Sequence, residues 1–170
     1  MVRIPRPRRA VVAAAACALT AGVLVSCGAD SPGEGVTAAP HAGDAACEQL
    51  ADRYPDRLGG QDLTFTDRPG VAVWGENAIV LRCGVELPVP TPDPCATVDG
   101  VDWVFREDRP EDDGKMVVTY GRDPAVEAVV SHDIAAVDDV LVDLSVLVKP
   151  VKTYTKCISL DDVEPPAPSG

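Results

Sequence analysis

Arg122 lies in the run Thr119-Tyr120-Gly121-Arg122-Asp123-Pro124, and the simplest strand pairing puts Asp102 and Trp103 on the neighbouring strand. An arginine beside aromatic rings can grip a carboxylate, a phosphate or a sugar, through its planar fork of donors and the attraction of a ring face for a cation. Asp102, Trp103, Tyr120 and Arg122 are therefore the candidate ligand-binding residues. The competing expectation is structural: an Asp102–Arg122 ion pair under a packed Trp103, holding the sheet together.

Catalytic sets are poorly represented. A hydrolytic triad needs a nucleophile and a base that titrates near neutrality. His132 follows Ser131 directly, and adjacent strand residues point to opposite faces, so the two are badly placed. The only other histidine, His41, falls in a polar segment. No G-x-S-x-G, P-loop or dinucleotide glycine pattern occurs. Asp102, Asp123 and Glu127 could supply a glycan-cleaving carboxylate pair, which requires a separation of roughly 5 to 9.5 Å. The acidic run Glu107, Asp108, Glu111, Asp112, Asp113 and Gly114 offers oxygens for Ca²⁺, but Arg109-Pro110 breaks any EF-hand spacing. Zinc is disfavoured because no cysteine pair has CxxC spacing. The expectation is a protein with no catalytic residue, no metal and no cofactor.

The strongest chemical signal is Leu24-Val25-Ser26-Cys27. Arg3, Arg6, Arg8 and Arg9 form a positive start, and Val11 to Val25 is small and apolar almost throughout. That run has signal-peptide length, short of the roughly 20 apolar residues of a spanning helix. Ser26 before the cysteine and Leu24 three residues before it suit a lipoprotein signal peptidase. Cys17 also follows small residues, but Ala14 stands where the aliphatic residue belongs. Residues 1–26 are thus expected as a lipoprotein signal peptide and Cys27 as the lipid-attachment site. The expected location is the outer face of the cell membrane, because two or more acyl chains hold a protein stably to lipid.

The chain carries a formal charge of −12, and removal of its first 26 residues, with four arginines and no acid, leaves −16. Nucleic acid is excluded as a partner, since phosphate binding needs clustered Lys and Arg. Past Cys27 stand Cys47, Cys83, Cys95 and Cys157, an even set that in an exported chain reads as two disulfides. Three pairings are possible; Cys47–Cys83 with Cys95–Cys157 is the expected one.

Residues 27–45 are Gly-, Ala- and Pro-rich and expected as a flexible linker reaching on the order of 20–25 Å. A domain over 46–160 follows, then an acidic, Pro-rich tail over 161–170 expected to be disordered. Leu50, Tyr54 and Leu58 recur every four residues and predict a helix over Ala46–Leu58, with Asp44 as N-cap and Pro55 as a weak point. Val71–Trp74 and Ala78–Cys83 flank Gly75-Glu76-Asn77 and predict a hairpin. Pro88 to Pro94 holds four prolines and is expected as a crossover connection. Leu63–Thr66, Val101–Phe105, Lys115–Tyr120 and Ala125–Val130 read as further strands, and Val151–Ile158 as a possible last one. Ile134, Val137, Leu141, Leu144 and Val148 predict a second helix, capped by Asp133 and ended by Lys149-Pro150. The fold class is α+β: an antiparallel sheet of about five strands flanked by an N-terminal and a C-terminal helix and stapled by disulfides.

Three segments resemble a known family: Trp74-Gly75 running on to Val80-Leu81-Arg82-Cys83-Gly84-Val85; Cys95 with Val98-Asp99-Gly100-Val101-Asp102-Trp103-Val104; and Val118-Thr119-Tyr120-Gly121-Arg122-Asp123-Pro124-Ala125-Val126-Glu127. Over roughly Cys47 to Cys157 the chain resembles small secreted lipoproteins of high-GC Gram-positive bacteria that are grouped as a domain of unknown function. The resemblance implies an exported, membrane-tethered protein and transfers no catalytic residue. The expected role is a binding or accessory lipoprotein of the cell envelope, held to the membrane through Cys27, with an envelope protein or glycan as partner. The alternatives are a carboxylate enzyme acting on glycans and a purely structural component.

Overall fold

The structure, a computed structural model, describes residues 31–86, 88, 92–106, 114–134 and 136–157. The signal segment with Cys27, the acidic run at 107–113 and the tail at 161–170 lie outside the described residues.

Among the described residues, two helices and eight strands follow one another. They are α1 (Ala45–Ala51), β1 (Arg57–Leu58), β2 (Gln61–Phe65), β3 (Val71–Trp74), β4 (Ile79–Val85), β5 (Cys95–Val98), β6 (Val101–Phe105), β7 (Lys115–Thr119), β8 (Ala125–Val130) and α2 (Val137–Val148). All eight strands form one antiparallel sheet in the order β1-β2-β3-β4-β8-β7-β6-β5. Two four-strand meanders therefore meet at β4 and β8, where Ile79 pairs with Val130 and Cys83 with Val126. The α+β class and the antiparallel sheet agree with the sequence; the strand number is eight, not about five. Among the strands not read from the sequence are the edge pieces β1, only two residues long, and β5, too exposed for a two-residue alternation to register.

α1 ends at Ala51 rather than at Leu58. Pro55 lacks the N–H for a helical bond and would clash with the carbonyl of Ala51. Leu58 reaches the core from β1 instead, so the four-residue recurrence of Leu50, Tyr54 and Leu58 spans two different elements. Asp44 occupies the N-cap position of α1 but makes no side-chain cap bond. α2 begins at Val137 with Ala136 at its N-cap, because Asp133 and Ile134 belong to a turn in which Ile134 N–H donates to the Ser131 carbonyl. Residues 151–157 form no strand; an isolated bridge pairs Thr153 with Arg122, and Cys157 ties the segment to β5 and β6.

Both helices contribute to a core on one face of the sheet. Leu50, Leu58, Val140, Leu141, Leu144 and Val148 pack with Trp74, Ile79, Leu81, Trp103, Val117 and Ala128. Cys47 on α1 is bonded to Cys83 on β4, Cα atoms 5.6 Å apart, and Cys95 on β5 to Cys157, 6.4 Å apart. Both spacings lie in the usual disulfide range. Each bridge closes a long loop, worth about 4 kcal/mol in the chain-entropy model.

The opposite face is covered in part by a segment that composition assigns to the linker. From residue 31 onward it is docked. Gly33 N–H donates to Asn77 Oδ1 (2.8 Å), Arg82 Nε donates to the Thr37 carbonyl (3.0 Å), and His41 N–H donates to the Gly84 carbonyl (2.9 Å). Ala39 and Ala42 are buried against Val85, Val118 and Ala125. Gly84 sits at a φ of 87° where the β4–β8 register slips, and a Cβ there would strike the His41 backbone. Small residues are thus what lets the strap lie flat on the sheet. It enters at the β3–β4 turn and runs to the far end of β4, a length of about 20 Å for a seven-residue strand.

Candidate functional site

Thr119 ends β7, and its Oγ1 accepts from Val126 N–H at 2.9 Å, closing the turn into β8 from within. Gly121 stands in that turn at a φ of 66°, and a Cβ on it would collide with the Thr155 carbonyl. The close approach lets the C-terminal segment clip on: Tyr154 N–H donates to the Gly121 carbonyl (2.7 Å) and Asp123 N–H to the Lys152 carbonyl (3.3 Å).

Beneath this clip lies Arg122, only 4% exposed. Its Nη1 donates to the carbonyls of Lys149 (2.9 Å), Val148 (3.4 Å) and Val151, and its Nη2 to that of Gly100 (3.3 Å). Val148 and Lys149 end α2, whose last turn holds no basic residue of its own. The last carbonyls of a helix lack internal partners and carry a partial negative charge. Arg122 meets both needs. Burial pulls its guanidinium below the ordinary value, and the charge of Asp102 opposes that shift.

Asp102 is bonded elsewhere. Its Oδ1 accepts from Thr97 Oγ1 (2.6 Å) and its Oδ2 from Cys157 N–H (2.8 Å), so it ties β6 to β5 and to the C-terminal segment. Asp102 and Arg122 are thus coupled by charge while each hydrogen-bonds other groups. Trp103, fully buried, belongs to the core on the helical face; its Nε1 donates to Ser145 Oγ (2.9 Å), which donates on to the Leu141 carbonyl (2.7 Å). The four candidate residues do not line one cavity. Arg122, Asp102 and Trp103 brace the fold, and Tyr120, half-buried, faces open space.

That space is a cavity of about 390 Å³ lined by Pro88, Tyr120, Gly121, Arg122, Asp123, Tyr154 and Thr155. It lies at the end of the sheet opposite the β3–β4 turn. Tyr154 is 61% exposed, with Lys152 Nζ 4.5 Å from its ring centroid, and Asp123 is exposed. Sequence reasoning missed Tyr154 and Pro88. Neither carries a local signal, because each meets Tyr120 only through the chain's return to this turn.

The carboxylates of the alternative enzyme reading are dispersed. Glu127 pairs with Arg82 at 2.9 Å beside a separate cleft of about 400 Å³, Asp123 lines the tyrosine cavity, and Asp102 lines neither. Ser131 Oγ accepts from Asp133 N–H (3.2 Å) within the turn that also holds the exposed His132. Among the described residues, no cluster of three or more His, Cys, Asp or Glu is placed to hold a metal, and no helix is long and apolar enough to cross a membrane.

A family model described as "Protein of unknown function (DUF3515)" matches residues 8–155. No curated protein and no solved structure matches the chain.

Proposed function

The chain belongs to the DUF3515 family of proteins of unknown function, and from that premise we propose that it is an exported lipoprotein, anchored at Cys27, that serves as a binding or accessory component of the cell envelope. The observation that carries this reading is the arginine-rich start and apolar run ending in Leu24-Val25-Ser26-Cys27. Two disulfides support it, since such bridges persist outside the reducing cytoplasm. So does the docked strap. Only four peptide steps separate Cys27 from Ser31, at most about 14 Å of chain. A lipid on Cys27 would hold the β3–β4 end of the sheet near the bilayer and leave the tyrosine-lined end about 20 Å farther out.

Growth with radiolabelled palmitate, followed by mass analysis of the mature amino terminus, tests the anchor. The expected result is a labelled protein beginning at acylated Cys27, with Cys27→Ala unlabelled and released from the membrane fraction. A mature protein with a free Cys27 thiol sinks the proposal.

A second reading, a structural envelope component without a ligand, draws on the bracing roles of Arg122 and Trp103. It differs in its expectation for the tyrosine cavity, which would then capture nothing.

A further inference from the structure

We propose that the cavity between Tyr120 and Tyr154 is a binding site for a neutral carbohydrate. This deepens the binding reading and rests on it. The cavity falls within the volume range of ligand-binding clefts, about 300–1,000 Å³. Its walls join two tyrosines and a proline, apolar surfaces against which the C–H face of a sugar ring can lie, with phenol hydroxyls as polar tips.

The charge pattern selects against an anion. The one arginine in the lining is 4% exposed, and its Nη1 and Nη2 already donate to four carbonyl oxygens. Asp123 brings a negative charge to the wall, Lys152 stands over the Tyr154 ring, and the chain as a whole carries −12. What the lining offers a ligand is ring surface, phenol hydroxyls and a carboxylate that accepts from hydroxyl groups. That set matches a polyhydroxylated, uncharged molecule.

Position supports the assignment. Tyr154 is the most exposed aromatic ring of the described residues, along with Val146 the most exposed large apolar side chain. It is held there by the Gly121–Tyr154 backbone bond and by the Cys95–Cys157 bridge three residues on. Two anchors on so short a segment fix the backbone that carries the ring before any ligand arrives, which lowers the ordering cost of binding.

The test is titration of the mature lipidated protein in detergent micelles with tetra-N-acetylchitotetraose, mannotetraose and, separately, decaproline, followed by nuclear magnetic resonance of tyrosine-labelled protein. Saturable shifts of the Tyr120 and Tyr154 signals with at least one saccharide are expected at millimolar concentration. Tyr154→Ala should weaken that binding about tenfold or more, Tyr154→Trp should retain it, and Val146→Ala, in a separate cleft with Arg53 and Pro55, should not change it. Absence of any saccharide response, or a response that survives Tyr154→Ala, overturns the proposal. A response to decaproline alone, or crosslinking of an envelope protein that depends on Tyr154, also overturns the carbohydrate assignment while leaving the broader binding reading intact.

Discussion

Arg122 donates a hydrogen bond to the carbonyl oxygen of Lys149 at 2.9 Å, so a residue from the β7–β8 turn closes the carboxyl end of α2. One guanidinium thereby joins two turns of the sheet, the helix end and the C-terminal segment. Arg122→Ala removes the guanidinium donor from the carbonyls of Lys149, Val151 and Gly100 and should cost about 3 kcal/mol, more than a typical surface change. Arg122→Lys should recover part of that loss, because an ammonium keeps the charge but not the planar fork. Urea unfolding midpoints of the two variants check this. Equal stability of Arg122→Ala and the parent would show that the carbonyls find other donors.

The two disulfides differ in access. Cys47 and Cys83 are both fully buried, whereas Cys95 is exposed and Cys157 half-buried. Graded reduction under native conditions should open Cys95–Cys157 first, and alkylation mapped by mass should appear there before it appears at Cys47 or Cys83. Loss of this outer bridge should free residues 152–157 and remove the Tyr154 wall of the cavity. Simultaneous labelling of all four cysteines would contradict the order.

Tyr54 predicts an alkaline limit to stability. Its hydroxyl is buried with no hydrogen-bond partner among the described residues, its ring packs edge-on against Trp74 at 6.0 Å, and desolvation raises its pKa from 10.0 to about 12. Between those two values the unfolded chain has lost the proton that the folded chain retains, so stability falls as pH rises from about 10 to about 12. Below that window the group contributes no pH dependence. Tyr54→Phe should abolish this component of the fall. It should also be neutral or stabilising at pH 7, because an unpaired buried hydroxyl costs about 1–3 kcal/mol and the ring contact is kept. Thermal melts of both proteins across the alkaline range decide it; identical pH profiles would exclude Tyr54 as the cause.

Docking of the strap predicts a fixed orientation on the membrane. A fluorophore attached at Glu76, beside the point where the strap enters, should be quenched by brominated lipid far more than one attached at Lys152. Gly84→Ala, which drives a Cβ into the strap backbone at His41, should loosen the strap and shrink the difference. Equal quenching at both positions in the palmitoylated parent protein would mean that the domain tumbles freely on its anchor.

The central hairpin and the body of α2 can be read directly from the residues, whereas four cysteines allow three pairings and the fold makes the expected one, Cys47–Cys83 with Cys95–Cys157. Val71–Trp74 and Ile79–Val85 flank a turn, and the α2 leucines and valines repeat at helical spacing, so neighbours in the chain dictate the conformation. For the same reason Ala46–Leu58 misleads: Leu50 and Leu58 do reach one core, but Pro55 forces the chain between them out of the helix. The docked strap is unreadable because Gly33, Ala39 and Ala42 look like linker and acquire a partner only when β4 and β8 present a flat surface.

The four-residue candidate site divides along the same line. Residue types alone nominate Asp102, Trp103, Tyr120 and Arg122, and alternation alone separates Asp102 from Trp103 across the sheet. That Arg122 spends its donors on a helix end 27 residues away, and that Tyr154 returns to stand near Tyr120, follows from contacts between segments distant in sequence. Local patterns specify element type because that depends on adjacent residues. Which charge is consumed and which ring is left open depends on what the folded chain brings beside it.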